Sequence, residues 1–250
     1  MNNKKLNLAM MLLSGVLGSQ SANATYISDN YIGANGENPS SVDVYGSSLY
    51  DVKGVDVNLS SNNILNMHFD SPFTERKSGY SLGDLFLSTD GWTPFGNSPY
   101  GSDNMNNGET WEAIFDSSEG NLYANTGINP FVIKTSSYRK NHEVSRMSGG
   151  NLISGTNNFI NFNDDNDPAT SGLLFQIDLE NLRNFFGNEW RDNGFGFHFS
   201  PASCGNDVIE GYTTWDEPSK VPEPATLGLL GLGLAGVAFR RRQSKIQNKE

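Results

Sequence analysis

Cysteine occurs once in 250 residues, at Cys204, so no intramolecular disulfide can form and the fold must be held by packing. Cys204 itself reads as a buried small hydrophobe. Basic residues are scarce. Between Thr25 and Lys220 there are 10 Lys and Arg against 26 Asp and Glu, a net charge of −16. A surface of that sign repels nucleic acid and anionic lipid, which excludes a nucleic-acid partner, and it attracts divalent cations. Histidine occurs only at His68, His142 and His198, far apart, and none has a second His, Cys or carboxylate at a metal-ligand spacing. Each is expected to be solvated or to lie on a sheet face. A phosphate-binding Gly-Lys-Ser/Thr loop is also missing. Carboxylates are numerous enough to assemble a glycosidase pair about 5 to 9.5 Å apart, but abundance alone points to no reaction, and the chain is read as a non-enzyme.

What is present is alternation. In residues 55–59, Val55, Val57 and Leu59 alternate with Asp56 and Asn58, and in residues 64–69, Leu65, Met67 and Phe69 share a face opposite His68. The turn chemistry of residues 60–63 joins the two as a hairpin. Further strands are expected within residues 80–88, 111–115, 121–124, 131–134, 137–139, 158–162, 173–179, 195–199 and 208–212, with residues 25–48 as an irregular opening or edge strand. Leu179, Leu182 and Phe186 recur at helical spacing before Gly187, which predicts one short helix. Turn signals about every ten residues predict an all-β fold, an antiparallel β-sandwich or jelly-roll-like domain over residues 25–220. The long loop from Trp92 to Gly108 is of the kind that carries function.

Both ends differ from this body. Residues 1–24 carry Lys4 and Lys5, an apolar stretch from about residue 6 to 17, and Ala22-Asn23-Ala24, the small-x-small form of a signal peptidase site. A signal peptide is expected, with Thr25 opening the mature chain. At the other end, Pro222, Glu223 and Pro224 precede an apolar, Gly-rich run over residues 227–239, followed by Arg240, Arg241 and Arg242. The prolines break any helix before the run. Thirteen residues make roughly 20 Å of helix against a hydrocarbon core of about 30 Å, which is short for a permanent span. The arginines would stay on the cytoplasmic side. Four glycines at 228, 231, 233 and 236 would each cost a soluble core helix about 1 kcal/mol. A transient membrane anchor is expected, with an ordinary C-terminal anchor as the alternative.

The order of Pro-Glu-Pro motif, short transmembrane helix and Arg cluster over residues 221–243, ahead of a polar tail at 244–250, resembles the PEP-CTERM sorting signal. That resemblance implies a Gram-negative host and an exosortase that cuts near residues 222–224. It also implies delivery to the cell surface, outer membrane or extracellular matrix after transient anchoring in the inner membrane.

Two ligand readings remain for the body. Asn163, Asp165 and Asp167 offer oxygens at alternate positions, as the first ligands of a calcium loop do, although Pro168 and Leu174 stand where an EF-hand has Gly and Glu. The alternative is an acidic surface turn. Asp103 and Glu109 form a lesser calcium candidate. Trp92 and Trp111, in long polar loops, have the composition of a glycan-stacking surface, or they cap the core. Trp190 and Trp215 are read as structural. The expectation is therefore a non-enzymatic exported surface or matrix protein that contributes to adhesion or biofilm. A lectin-like, calcium-dependent module that binds extracellular polysaccharide is the alternative, and an exported hydrolase ranks third. Exosortase and signal peptidase are the implied processing partners, and no cofactor is required, calcium being only a candidate ligand.

Overall fold

A computed structural model of the chain describes residues 25–34, 43–60, 63–73, 81–153, 158–162, 171–187 and 194–214. The chain divides into two units, Met1–Thr214 and Trp215–Glu250, and every described residue belongs to the first. Outside the described residues lie Ala22 and Ala24, the calcium candidates Asn163, Asp165 and Asp167, Trp190 and Trp215, and the whole sorting signal with Pro222, Glu223, Pro224, Arg240, Arg241 and Arg242. Among the described residues no helix is long and apolar enough to cross a membrane.

In chain order the strands are β1 (Thr25–Ser28), β2 (Gly54–Leu59), β3 (Ile64–Asp70), β4 (Leu85–Ser88), β5 (Ala113–Asp116), β6 (Asn121–Ala124) and β7 (Val132–Thr135). They continue as β8 (Glu143–Ser148), β9 (Asn151–Ile153), β10 (Asn158–Phe162), β11 (Gly172–Asp178), β12 (Phe195–Phe199) and β13 (Ile209–Thr213). The helix α1 (Leu179–Phe186) follows β11 directly. The strands form a five-stranded sheet in the order β1-β2-β3-β11-β10, a six-stranded sheet in the order β13-β12-β4-β5-β6-β9, and a β7-β8 ribbon. Every pairing among them is antiparallel. The fold is all-β with one α-helix among the described residues.

In the five-stranded sheet, alternation sets the faces. β3 buries Leu65, Met67 and Phe69 and leaves His68 half-buried on the other face, and β11 buries Leu173, Phe175 and Ile177 beside it. β1 is the edge strand expected of the opening segment. Rings carried by this sheet meet rings carried by the six-stranded one. Phe69 lies 4.5 Å from Phe199 between centroids and 6.1 Å from Phe197, and Phe175 lies 5.3 Å from Phe115. Most of these contacts are edge-on or tilted, the arrangement the ring quadrupole favours. Asp178 caps α1 by accepting from Glu180 N at 2.9 Å, and Gly187, at φ +81°, ends it by donating to Arg183 O. Cys204 is buried beside Phe73 and Ala202, the small apolar role its isolation predicts.

The six-stranded sheet breaks the half-buried rule. β4, β5 and β12 are buried at every position, so the sheet is covered on both faces. The second cover is a separate core of Phe86, Trp111 and Ile114, against which Trp92, Phe131 and Ile133 pack. The segment before β5 and the start of the β7-β8 ribbon therefore overlie the sheet's outer face. Whatever polar groups this face carries are sealed in.

Candidate functional site

Strand register brings the polar groups of that outer face into a row. Glu210 on β13 pairs with His198 on β12, and His198 pairs with Phe86 on β4. Neighbours across strands share a face, so a glutamate and a histidine 12 residues apart become a cross-strand pair. His198 is fully buried, its Nδ1 2.9 Å from Glu210 Oε1, and its Nε2 donates to the backbone carbonyl of Glu143 at 2.8 Å. Glu210 Oε2 accepts from Trp92 Nε1 at 3.0 Å.

A second histidine arrives from the ribbon. His142, just before β8, stacks on His198 with ring centroids 5.6 Å apart and planes within 6° of parallel. Its Nε2 lies 3.3 Å from the hydroxyl of Tyr31, which donates to Asp103 Oδ2 at 2.9 Å. Tyr31 has one proton and gives it to Asp103, so His142 Nε2 carries the hydrogen and Nδ1 a lone pair, a tautomer assigned from the network. That Nδ1 is buried and has no hydrogen-bond partner. Glu143 Oε2 stands 3.7 Å from it, while Glu143 Oε1 accepts from Trp111 Nε1 at 3.2 Å. One ligand atom each from His142, His198 and Glu210 lies within 4.8 Å of the other two.

Electrostatics divides the two imidazoles. Burial pulls His198 down, but the bond and charge of Glu210, with Glu143 behind it, outweigh that and hold its pKa above the usual value. His142 has no such counter-charge. Burial, then the charges of His198 and Arg139, push it well below, so it is neutral. Burial raises Glu143 to about 7 and Asp103 to about 6.

Gly33 makes room for this arrangement. It sits at φ +66°, and an added Cβ would overlap the His142 ring at Nε2. Gly33→Ala is expected to cost roughly 2–3 kcal/mol, a fall in Tm of about 5–10 °C, because left-handed strain of about 1–2 kcal/mol adds to displacement of the ring. Gly33→Asn relieves most of the strain and keeps the overlap. Matching losses in thermal melts of the two variants would assign the cost to the histidine.

Next to this network a second ionic knot surrounds Arg139, which is fully buried. Its guanidinium donates to the backbone carbonyls of Ile32, Asp43 and Asn206, lies 3.5 Å from Asp207 Oδ1 and sits 5.2 Å from the Tyr45 ring centroid. Asp29, Asp43 and Asp207 converge there with oxygens within 4.8 Å of one another. Burial lifts Asp29 to about 9 and Asp207 to about 8, so the acids keep a proton between them. Arg139 already fills the place a cation would take.

The remaining expected sites fall in different places. Trp111 is buried, tilted against His198 and edge-on to Phe86, and Trp92 is half-buried, edge-on to Tyr100. Both spend the indole N–H on a buried glutamate. Asp103 and Glu109 do not meet on a common ligand: Asp103 is buried under Tyr31, and Glu109 accepts from the Thr93 and Thr110 amides and the Thr93 hydroxyl. His198 lies on a sheet face as expected, but that face is dry because loops cover it, and His142, off the sheet just before β8, is buried against it instead of solvated. The Gly-x-Ser-x-Gly pattern of a hydrolase nucleophile elbow, expected to be absent from a non-enzyme, does occur in the sequence, since residues 79–83 read Gly-Tyr-Ser-Leu-Gly. An elbow needs a strand-to-helix turn, whereas Ser81 is exposed ahead of β4 and its backbone pairs with Ser203.

Comparison with known proteins touches the C-terminal segment alone. A family model described as the PEP-CTERM protein-sorting motif matches residues 220–242. No curated protein matches the chain, and no solved structure does.

Proposed function

We propose, starting from a chain that carries the PEP-CTERM protein-sorting motif at residues 220–242, that the body is a non-enzymatic surface or matrix protein contributing to adhesion or biofilm. The motif carries this reading. It implies export and processing by an exosortase, with the apolar run as a transient inner-membrane anchor. The body supports it. Its ring contacts between sheets fit a sandwich held together without disulfides, suited to life outside the cell. Its net charge of −16 keeps it soluble at high local concentration and suits the cationic parts of a matrix. The indoles of Trp92 and Trp111, committed to Glu210 and Glu143, support a structural role for both over sugar stacking.

Mass spectrometry of the protein from its native cells tests the reading. The expected chain begins at Thr25 and ends near residues 222–224. In cells lacking exosortase it should keep Arg240 to Arg242 and fractionate with the inner membrane. An intact polypeptide from Met1 to Glu250 in the cytosol would refute export. An unchanged biofilm after deletion of the protein would refute the matrix role while leaving the sorting intact.

A further inference from the structure

We propose that His142 Nδ1, His198 Nδ1, Glu210 Oε1 and Glu143 Oε2 form an interior binding site for one first-row divalent transition ion of the zinc type. One ligand atom each from His142, His198 and Glu210 lies within 4.8 Å of the other two, and Glu143, outside that group, brings its Oε2 to 3.7 Å from His142 Nδ1. All four residues are buried.

The outer contacts of the four side chains point to a metal. His142 Nε2 is held by the Tyr31 hydroxyl, itself fixed by Asp103, and His198 Nε2 by the Glu143 carbonyl. Glu143 Oε1 is held by Trp111 and Glu210 Oε2 by Trp92. Every outer position is thus occupied, and each occupant orients one inner atom. Metal sites use this pattern: the second nitrogen of a ligating histidine donates to an oxygen, and ligating carboxylates are themselves hydrogen-bonded. Without an ion, His198 Nδ1 donates its proton to Glu210 Oε1; once an ion displaces that proton, the four inner atoms are all acceptors. Such a set needs cations between its members, and at His142 Nδ1 the structure offers no donor.

Donor type selects the ion. Two imidazoles and two carboxylates suit zinc and its borderline neighbours, whereas calcium and magnesium prefer oxygen-only shells. Two carboxylates also neutralise a divalent ion, leaving no net charge in the interior. The rings are within 6° of parallel at 5.6 Å, so closing on one ion takes a rotation of the His142 ring, the one whose Nδ1 has no bond to lose. The ion would enter as the chain folds, because no residue of the set is open to water.

Refolding the full chain tests the site, in chelator, with one equivalent of Zn2+, or with Co2+ as a spectroscopic probe. The expected result is one tightly held ion per chain, visible Co2+ bands of a four-coordinate N/O site, and a Tm about 5–10 °C above the chelated protein. Glu210→Gln and His142→Ala should each abolish the bands and the Tm shift, and His68→Ala should change neither. If the variants fail to fold, the wild-type comparison decides alone. Equal melting with and without Zn2+, absence of Co2+ bands, or binding that survives both substitutions would overturn the assignment.

Discussion

Replacing Arg139 with methionine is expected to destabilise the fold by about 3–5 kcal/mol, read as a lower midpoint in urea unfolding. The substitution leaves buried Asp207, with Asp29 and Asp43 beside it, facing one another without a positive charge, and orphans the carbonyls of Ile32, Asp43 and Asn206. Removing one partner of a buried ion pair costs about this much, because the remaining charge has lost both water and its counter-ion. The double variant Arg139→Met with Asp207→Asn should recover roughly half of the loss, since it removes the stranded charge along with its partner. Arg139→Lys keeps the charge but cannot serve three carbonyls from a planar fork, so an intermediate loss is expected. A single-variant cost below about 1 kcal/mol, with no recovery in the double, would show that Arg139 only fills space.

Alternation made several of the strands legible. Residues 55–59, 64–69, 121–124, 158–162 and 195–199 all lie within strands of the structure, and the helix with its Gly187 stop falls where the spacing of Leu179, Leu182 and Phe186 puts it. The β7-β8 ribbon misled. Residues 137–139 read as a strand but form the turn that carries Arg139 inward, while β8 and β9, with Glu143, Arg146 and Met147 among their residues, lack the clean period of a half-buried strand. The polar network was hidden for a different reason. His142 and His198 are 56 positions apart in sequence, and what unites them is that β12 runs beneath the segment preceding β8. Local spacing cannot register such a meeting. Nor could it show that loops would roof the sheet's outer face, turning the alternation Phe195, Phe197, Phe199 against His198 from half-wet to dry. The sorting motif was legible because it depends on order along the chain, not on a fold.

The chelated protein is expected to melt about 10 °C higher near pH 5.5 than at pH 8.5, an inversion of what a carboxylate-rich protein with exposed salt bridges would show. Burial holds Asp84 at about 7, far above its ordinary 3.8, and raises the coupled Asp29 and Asp207 so that they keep one proton between them while the remaining charge faces Arg139. The folded chain therefore keeps protons that the unfolded chain surrenders near pH 4, and stability falls as pH rises from about 4 through about 9. His198 acts in the same direction, since its pairing with Glu210 is fully stabilising below about 6.5 and is lost above its raised folded value. His142 opposes them: the unfolded chain protonates it below about 6.5 and the folded chain does not, which offsets one of those protons and softens the fall below that pH without reversing it. Asp84 alone contributes roughly 2–4 kcal/mol, which corresponds to about 5–15 °C for a body of this size. Salt separates the buried origin from simple repulsion within a surface of net charge −16. At about 0.5 M salt the surface contribution is screened within a few ångströms, whereas groups out of contact with water are screened far less, so most of the pH effect should survive. A flat or rising Tm between pH 5.5 and 8.5 would mean that these carboxyls stay ionised in the fold, held so by Arg139 and their backbone donors.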